Sequence, residues 1–442
     1  MHLAYLLALF CGIIFTAHSA FATIEAADNG NIPLLAKTAS KAGTGLTLEK
    51  VIATALTQSP RLQGVQKSTN AARSARDQAG AWPNPEIGVG AENFAGSGPY
   101  GSFTSAELNY GVSQQLPITG KLDARKAIAE AGVSRATLDE EAARLDVIRD
   151  TTIAFMAVVA AEESVYLATE QKELAADVLQ SVSRRVGAAA APLIQRSRSE
   201  VEYATAILAL DKASRERDIS RHALAAIIGQ DVFEASLAKE VFYEIEKPAP
   251  LANLRPDDPL IDRLRQDSTL AQARARIELE QANALPDPRV SVGVREFQAT
   301  DDRALLVSLA MPIPIFDLNG GNIEKARQEA LRTELDNKQA SRDRTAEVSR
   351  AHARLMRSFV EVNTLKNSIL PSATQAFRLS REGYTAGRFP YLEVLDAQRS
   401  LFLARQQKID ALREFHTAKA ELTRLIAKAP AKPSQSGEHH AE

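Results

Sequence analysis

Apolar residues alternate with polar or small ones over two neighbouring stretches of this chain, and the same pair of alternations returns far downstream. From Glu86 onward, Ile87, Val89 and Ala91 share one face, while Glu86, Gly88, Gly90 and Glu92 share the other. A loop rich in Gly, Ser and Pro runs from Phe94 to Phe103. Ala106, Leu108, Tyr110 and Val112 then alternate with Glu107, Asn109, Gly111 and Ser113. Period two with one apolar face predicts strands, here over about 86–94 and 104–117. The pattern recurs about 200 residues later and predicts strands over about 289–297 and 304–315, so the chain reads as a tandem duplication. Pro83-Asn84-Pro85 precedes the first strand of one copy, and Pro286-Asp287-Pro288 that of the other.

Between and around these strands the period is helical. Thr47 stands at an N-cap position with Glu49 in the first turn, and the helix that follows to about Ala81 breaks at Ser59-Pro60. No proline occurs from Lys121 to Val186, which predicts one long helix over about 121–186. Its 1.5 Å rise per residue makes it roughly 100 Å long, more than one globular core needs. Gly187 to Pro192 ends it, and a returning helix follows over about 192–229. The second copy repeats the order: a helix over 260–284, a long helix over about 322–384, a break at Gly383 to Pro390, and a returning helix over about 391–428. Ala154, Ala157, Ala160, Ala161, Ala204, Ala206 and Ala209 suit close helix packing of the coiled-coil kind.

The first repeat therefore spans 46–230 and the second 260–428, with a proline-rich connector at 231–259. Residues 23–45 read as a flexible arm and 429–442 as a disordered tail. At the start, the apolar run Leu3 to Phe15 followed by Ala20-Phe21-Ala22 predicts a signal peptide over 1–22. Cys11 is the only cysteine. It lies inside the apolar run, poorly placed for lipidation, and its removal leaves a chain without thiol chemistry or disulfides. After the signal, no apolar run of spanning length is apparent, so membrane crossing would fall to the strands. Alternation alone also fits a soluble sheet covered on one face.

Charge and chemistry narrow the function by exclusion. The formal net charge is −2, which gives no basis for nucleic-acid binding. Phosphate-loop, nucleophile-elbow and zinc-protease motifs are missing from the sequence. His222, His352 and His416 are isolated on predicted helices, and the tail Gly437-Glu438-His439-His440 is at most a weak chelator. These features point to no catalytic residue, cofactor or metal site.

The duplicated layout, Leu46-Thr47-Leu48-Glu49-Lys50-Val51, both Pro-x-Pro entries, Gln115-Leu116-Pro117-Ile118-Thr119-Gly120-Lys121, Tyr384-Thr385-Ala386-Gly387-Arg388 and Leu392-Glu393-Val394-Leu395-Asp396-Ala397-Gln398 resemble the TolC-type outer membrane efflux family. Pro-Asn-Pro and Leu-Pro-Ile-Thr-Gly-Lys are most similar to its CzcC heavy-metal branch. The resemblance implies a mostly α protein with a membrane β-barrel. Four strands per chain would close a twelve-stranded barrel in a homotrimer in the Gram-negative outer membrane, above a long periplasmic α-helical barrel. Four strands cannot enclose an aqueous channel alone, and three copies can. The implied partners are outer membrane lipid, a periplasmic adaptor (membrane fusion protein) and an inner-membrane RND transporter. The implied cargo is divalent heavy-metal cations such as cobalt, zinc and cadmium. The adaptor would dock at the tip, on Arg185, Val186, Gly187 and Ala188 and on Tyr384, Thr385, Ala386 and Gly387. Glu393 and Asp396, early in the last helix, would form carboxylate rings at a pore constriction; the plainer alternative for Asp396 is a helix N-terminal charge or an intersubunit ion pair. Drug efflux, type I protein secretion, a soluble coiled-coil adaptor and a metal-binding envelope hydrolase remain alternatives.

Overall fold

The computed structural model describes residues 45–254 and 260–428. The expected signal peptide and its cleavage site, Cys11, nearly all of the arm and the histidine-bearing tail lie outside the described residues. Helix α1 (Leu48–Gln58) and α2 (Pro60–Ala79) are separated by Ser59 in an extended conformation, with Pro60 opening α2 where its missing N–H costs nothing. Thr47 takes the N-cap position, but its hydroxyl makes no capping bond. Strands β1 (Glu86–Glu92) and β2 (Glu107–Gln115) lead into the long α3 (Lys121–Gly187), and α4 (Leu193–Ile227) returns. A short α5 (Glu240–Tyr243) lies in the connector. There follow α6 (Ile261–Asn283), β3 (Arg289–Phe297), β4 (Asp302–Ala310), α7 (Gly320–Thr364), α8 (Leu370–Thr385) and α9 (Tyr391–Leu425).

Strand ends differ from the expected ones for local reasons. Phe103–Ser105 forms a 3-10 turn, so β2 begins later than the alternation does. Strand β4 stops at Ala310 because Pro312 and Pro314 follow, each without an N–H to give a ladder. The long second helix is two helices joined by a π-helical turn over Leu365–Ile369. That widened turn sits just before Pro371, whose ring would otherwise meet the carbonyl four residues back.

The four strands form one antiparallel sheet in the order β1-β2-β3-β4. The core lies among the helices, where α3 touches α1, α2, α4, α6 and α9. Phe155, Met156, Val158 and Val159 of α3 are buried against Val51, Leu224, Phe242, Val362 and Leu412. Part of α3 has a mean hydropathy of 1.3 over a length sufficient to cross a membrane, where none was expected after the leader. Of that window 56% is buried inside the fold, so its apolarity belongs to the core. Ala154, Ala160, Ala161 and Ala206 are buried as close-packing residues, whereas Ala204 is exposed. The ends of the segments are tied by bridges: Leu46 pairs with Leu237, and Leu260 with Lys428.

His416 is a packing residue of α9. Its ring is stacked on Phe242 and edge-on to Phe415, and its Nε2–H donates to the Phe242 carbonyl at 3.0 Å. Burial, with Lys419 nearby, pushes its pKa down to about 4 against the Phe242 bond, which favours the charged form. The unfolded chain therefore binds the extra proton first as pH falls. The stability contribution of neutral His416 is complete above about pH 6.5 and is lost as pH falls through about 4, amounting to roughly 2 kcal/mol near pH 4.5. His416→Gln is expected to flatten this limb of the thermal-midpoint profile between pH 6.5 and 4.5. An unchanged slope in the variant would assign the acid sensitivity elsewhere.

Candidate functional site

Cross-strand register sorts the sheet into two chemically distinct faces. Ile87, Val112, Val292 and Val307 form one row, and Val89, Tyr110, Val294 and Leu305 form the next. No described residue covers this face: Ile87 is 83% exposed and Val307 68%. On the opposite face Glu86, Ser113, Ser291 and Ser308 form a row, followed by Gly88, Gly111, Gly293 and Leu306. Arg295 donates there to Asn109 and Glu107, each at 2.8 Å, and the Ser291 and Ser308 hydroxyls are 2.7 Å apart. Arg289 pairs with Glu86. One dry face and one wet face is what a strand wall between lipid and water requires. The outer edges of β1 and β4 have no partner strand in the sheet.

At the base of the sheet, the two motifs that bracket the strands meet. Asp287, between its two prolines, accepts hydrogen bonds from Thr119 Oγ1 at 2.8 Å, Lys121 Nζ at 3.0 Å and Gln115 Nε2 at 3.1 Å. Burial alone would raise its pKa; the bonds from Lys121, Thr119 and Gln115 outweigh that and hold the carboxyl below the usual carboxylate range. The exit of β2 is thereby latched to the entry of β3. Sequence reasoning singled out both motifs but not this bond. The available signal was an acid in Pro286-Asp287-Pro288 where Pro83-Asn84-Pro85 has an amide.

At the far end of the helices the structure brings both tip segments together. Arg185 lies over the Tyr384 ring, 4.8 Å from its centre, and Val186 and Tyr384 pack against the cluster of Val182, Tyr391 and Leu395. Tyr391, missed in the sequence, shares a 2.8 Å hydrogen bond with Ser199 that ties α9 to α4, and burial raises its pKa. Gly187 and Thr385 are the last residues of α3 and α8, and Ala188 and Ala386 are the C-caps. Each helix ends in a Schellman motif: Ala190 N–H donates to Arg185 O, and Arg388 N–H to Gly383 O, both at 2.8 Å.

The left-handed residue of the second motif is Gly387, with φ 69°, as a glycine there should be. In the first it is Ala189, with φ 55°, and not Gly187, which ends the helix with no left-handed turn of its own. An alanine in that conformation is strained by about 1 kcal/mol. Ala189→Gly is therefore expected to slow hydrogen exchange at the Ala190 amide about fivefold, whereas Gly387→Ala, which puts an alanine into the same left-handed position of the second motif, speeds it at the Arg388 amide. No slowing in the first variant would place the strained residue wrongly.

Glu393 and Asp396 occupy the exposed face of the first turns of α9, and Asp396 acts electrostatically on Arg399, which is paired with Glu202 of α4. Of the histidines, His222 is exposed and the Nε2 of His352 lies 2.9 Å from the Ala249 carbonyl oxygen. Among the described residues, no three His, Cys, Asp or Glu side chains gather in a group that would hold a metal ion.

Comparison with known proteins agrees with this arrangement. The outer membrane efflux protein family profile matches residues 51–230 and 264–428. The cobalt-zinc-cadmium resistance protein CzcC of Cupriavidus metallidurans is 30% identical over 393 residues, covering 87% of this chain and 90% of that one. The nickel-cobalt-cadmium resistance protein NccC of Alcaligenes xylosoxydans xylosoxydans is 24% identical over 290 residues, covering 64% of each. Among solved structures, VceC, an outer membrane protein from Vibrio cholerae, superposes with a TM-score of 0.72 at 18% identity, covering 86% of this chain and 96% of that one. The sheet with one lipid-suited face, the long helices beneath it and the match over both halves together place the chain in the outer membrane efflux protein family, whose members are TolC-type channels and not enzymes, with CzcC among its relatives.

Proposed function

We propose that three copies of this chain form the exit duct of a tripartite efflux system, a twelve-stranded barrel in the outer membrane continued by a helical tube through the periplasm. The observation that carries this reading is the four-stranded sheet with an uncovered apolar face and two open edges. Unpaired strand edges cannot persist in lipid, and closure by neighbouring copies removes them. The family match over two separate ranges supports the duplicated architecture, 46–230 and 260–428, that this symmetry uses. An RND-type pump and a periplasmic adaptor would meet the tube at its tip, with Arg185, Val186, Gly187 and Ala188 and then Tyr384, Thr385, Ala386 and Gly387 as the docking residues. The Arg185–Tyr384 contact favours the two segments acting as one surface.

The cargo proposed is divalent heavy-metal cations, cobalt, zinc or cadmium, on the strength of the metal-resistance relatives. Glu393 and Asp396, exposed early in α9, would become carboxylate rings under three-fold symmetry and favour cations over anions. The test is expression of the chain beside its genomic pump and adaptor in a metal-sensitive host. Zinc, cobalt or cadmium tolerance is expected to rise, and trimer reconstituted in planar bilayers is expected to conduct, with weaker cation preference in Glu393→Gln/Asp396→Asn. Tolerance to drugs alone, or secretion of a protein, would reassign the cargo; a protein that fractionates as wholly soluble would end the channel reading.

A further inference from the structure

The middle of the sheet contains a complete example of how one hairpin joins the next. Strands β2 and β3 pair with Gly111 opposite Gly293 and Gln115 opposite Arg289. Leu116 N–H donates to the Pro288 carbonyl at one end and Gln298 N–H to the Ala106 carbonyl at the other, both at 2.9 Å. The open edges repeat the residues of this joint. Strand β1 is entered through Pro83-Asn84-Pro85 as β3 is through Pro286-Asp287-Pro288, and β4 exits through Ile313-Pro314-Ile315 as β2 does through Leu116-Pro117-Ile118. Even the exit turn recurs: Ile118 N–H donates to Leu116 O at 2.9 Å, and Ile315 N–H to Ile313 O at 3.0 Å.

Building on the trimeric barrel proposed above, we infer that β4 of one subunit pairs with β1 of the next in the register of the β2–β3 joint. Leu309 then lies opposite Val89, and Val307 opposite Ala91, on the outer face. On the inner face Ala310 lies opposite Gly88 and Ser308 opposite Gly90, while Ile313 N–H donates to the Pro85 carbonyl of the next subunit.

Three observations select this register. A slip of one residue would turn the apolar positions of one strand against the glycines and glutamates of the other, reversing the face. A slip of two residues one way brings Ile315 into the place of Ile313, but the Ile315 N–H is already bonded to Ile313 O. A slip of two the other way brings Pro83 into the place of Pro85, where its carbonyl, one lone pair of which already accepts Gln114 Nε2 at 2.8 Å, would have to take a second bond.

The seam also differs from its template in chemistry. Asn84 stands where Asp287 does, and two extra residues follow the exit turn, so that Leu318 and Gly320, on either side of the left-handed Asn319, stand where Thr119 and Lys121 flank the left-handed Gly120. The ionic latch inside the chain is therefore replaced between chains by an apolar closure, and Phe316, 98% exposed, is the residue it covers.

The register is read by cysteine pairs in a Cys11→Ala background, oxidised in native membranes. Gly88→Cys/Ala310→Cys and Gly90→Cys/Ser308→Cys join positions at the non-hydrogen-bonded sites of the ladder, where facing side chains are closest. Both glycines have room for a side chain: no atom lies within 4 Å of the position of a Gly88 Cβ, and only Asn109 Cβ, at 3.9 Å, near that of Gly90. Each matched pair is expected to give at least ten times more covalent trimer on a non-reducing gel than the slipped pairs Gly90→Cys/Ala310→Cys and Gly88→Cys/Ser308→Cys. Preferred linkage of a slipped pair, or none in a protein that light scattering finds trimeric, overturns the register and leaves the trimer standing. A monomer by light scattering before oxidation overturns the trimer itself.

Discussion

Asp287→Ala is expected to lower the stability of the protein by about 3–5 kcal/mol, the range for removing one partner of a buried pair. The Asp287 side chain is 4% exposed and that of Lys121 13%, so the substitution leaves an ammonium with neither counter-ion nor full hydration. Thr119 and Gln115 lose their acceptor at the same time. Asp287→Asn keeps an acceptor oxygen but not the charge, and falls between. The discriminating variant is Asp287→Ala/Lys121→Met, which removes both charges and is expected to recover most of the loss. Denaturant midpoints in detergent measure the series; a double variant as unstable as the single one would show that the orphaned ammonium is not the cause. The pH sign follows from the lowered pKa of Asp287: its contribution is present above the ordinary value of 3.8 and is lost as pH falls through the lower folded value. This loss lies below the window in which His416 titrates, so the two separate in a pH series.

The latch also marks how far the sequence reaches. Alternation is a local property, so the faces of all four strands are visible in it, and the register in the structure joins apolar to apolar across the two central rows, from Ile87 to Val307 and from Val89 to Leu305. The duplicated motifs likewise point to the sheet base and the helical tip as the places to look. What the motifs do to one another is not local. Asp287 and Lys121 are far apart in the chain, and no spacing rule predicts their contact. At the tip, Gly187 draws attention because glycine commonly ends helices, but α3 runs through it and the left-handed turn falls on Ala189. A helix end shifted by a residue or two changes which side chain is strained, and periodicity does not fix ends that finely. The π-helical turn before Pro371 is similarly hidden, since proline signals a disturbance but not how the backbone absorbs it.

Arg424→Ala is expected to have the other large effect, about 3 kcal/mol, and to act at the junction of α9 with α3 and α6. The Arg424 side chain is 10% exposed; its Nε donates to Asp146 at 2.6 Å and its Nη1 to Asp262 at 3.0 Å. Burial works against the charges on Arg424 and Asp262, but the bonds between them prevail, raising the pKa of the first and lowering that of the second. The cost stays near the lower end of the buried-pair range because neither acid is stranded: Asp146 keeps Arg61 and Arg149, both at 3.3 Å, and Asp262 keeps Arg265 at 3.2 Å. Lysine does not replace the planar fork that reaches two carboxylates from one side chain. Arg424→Lys is therefore expected to retain less than half of the stability lost by the alanine variant. If lysine restores wild-type stability, a single cation suffices and the two-pronged geometry is unimportant. If alanine costs less than about 1 kcal/mol, the remaining arginines neutralise both acids unaided, and α9 is held to α3 by its apolar contacts instead.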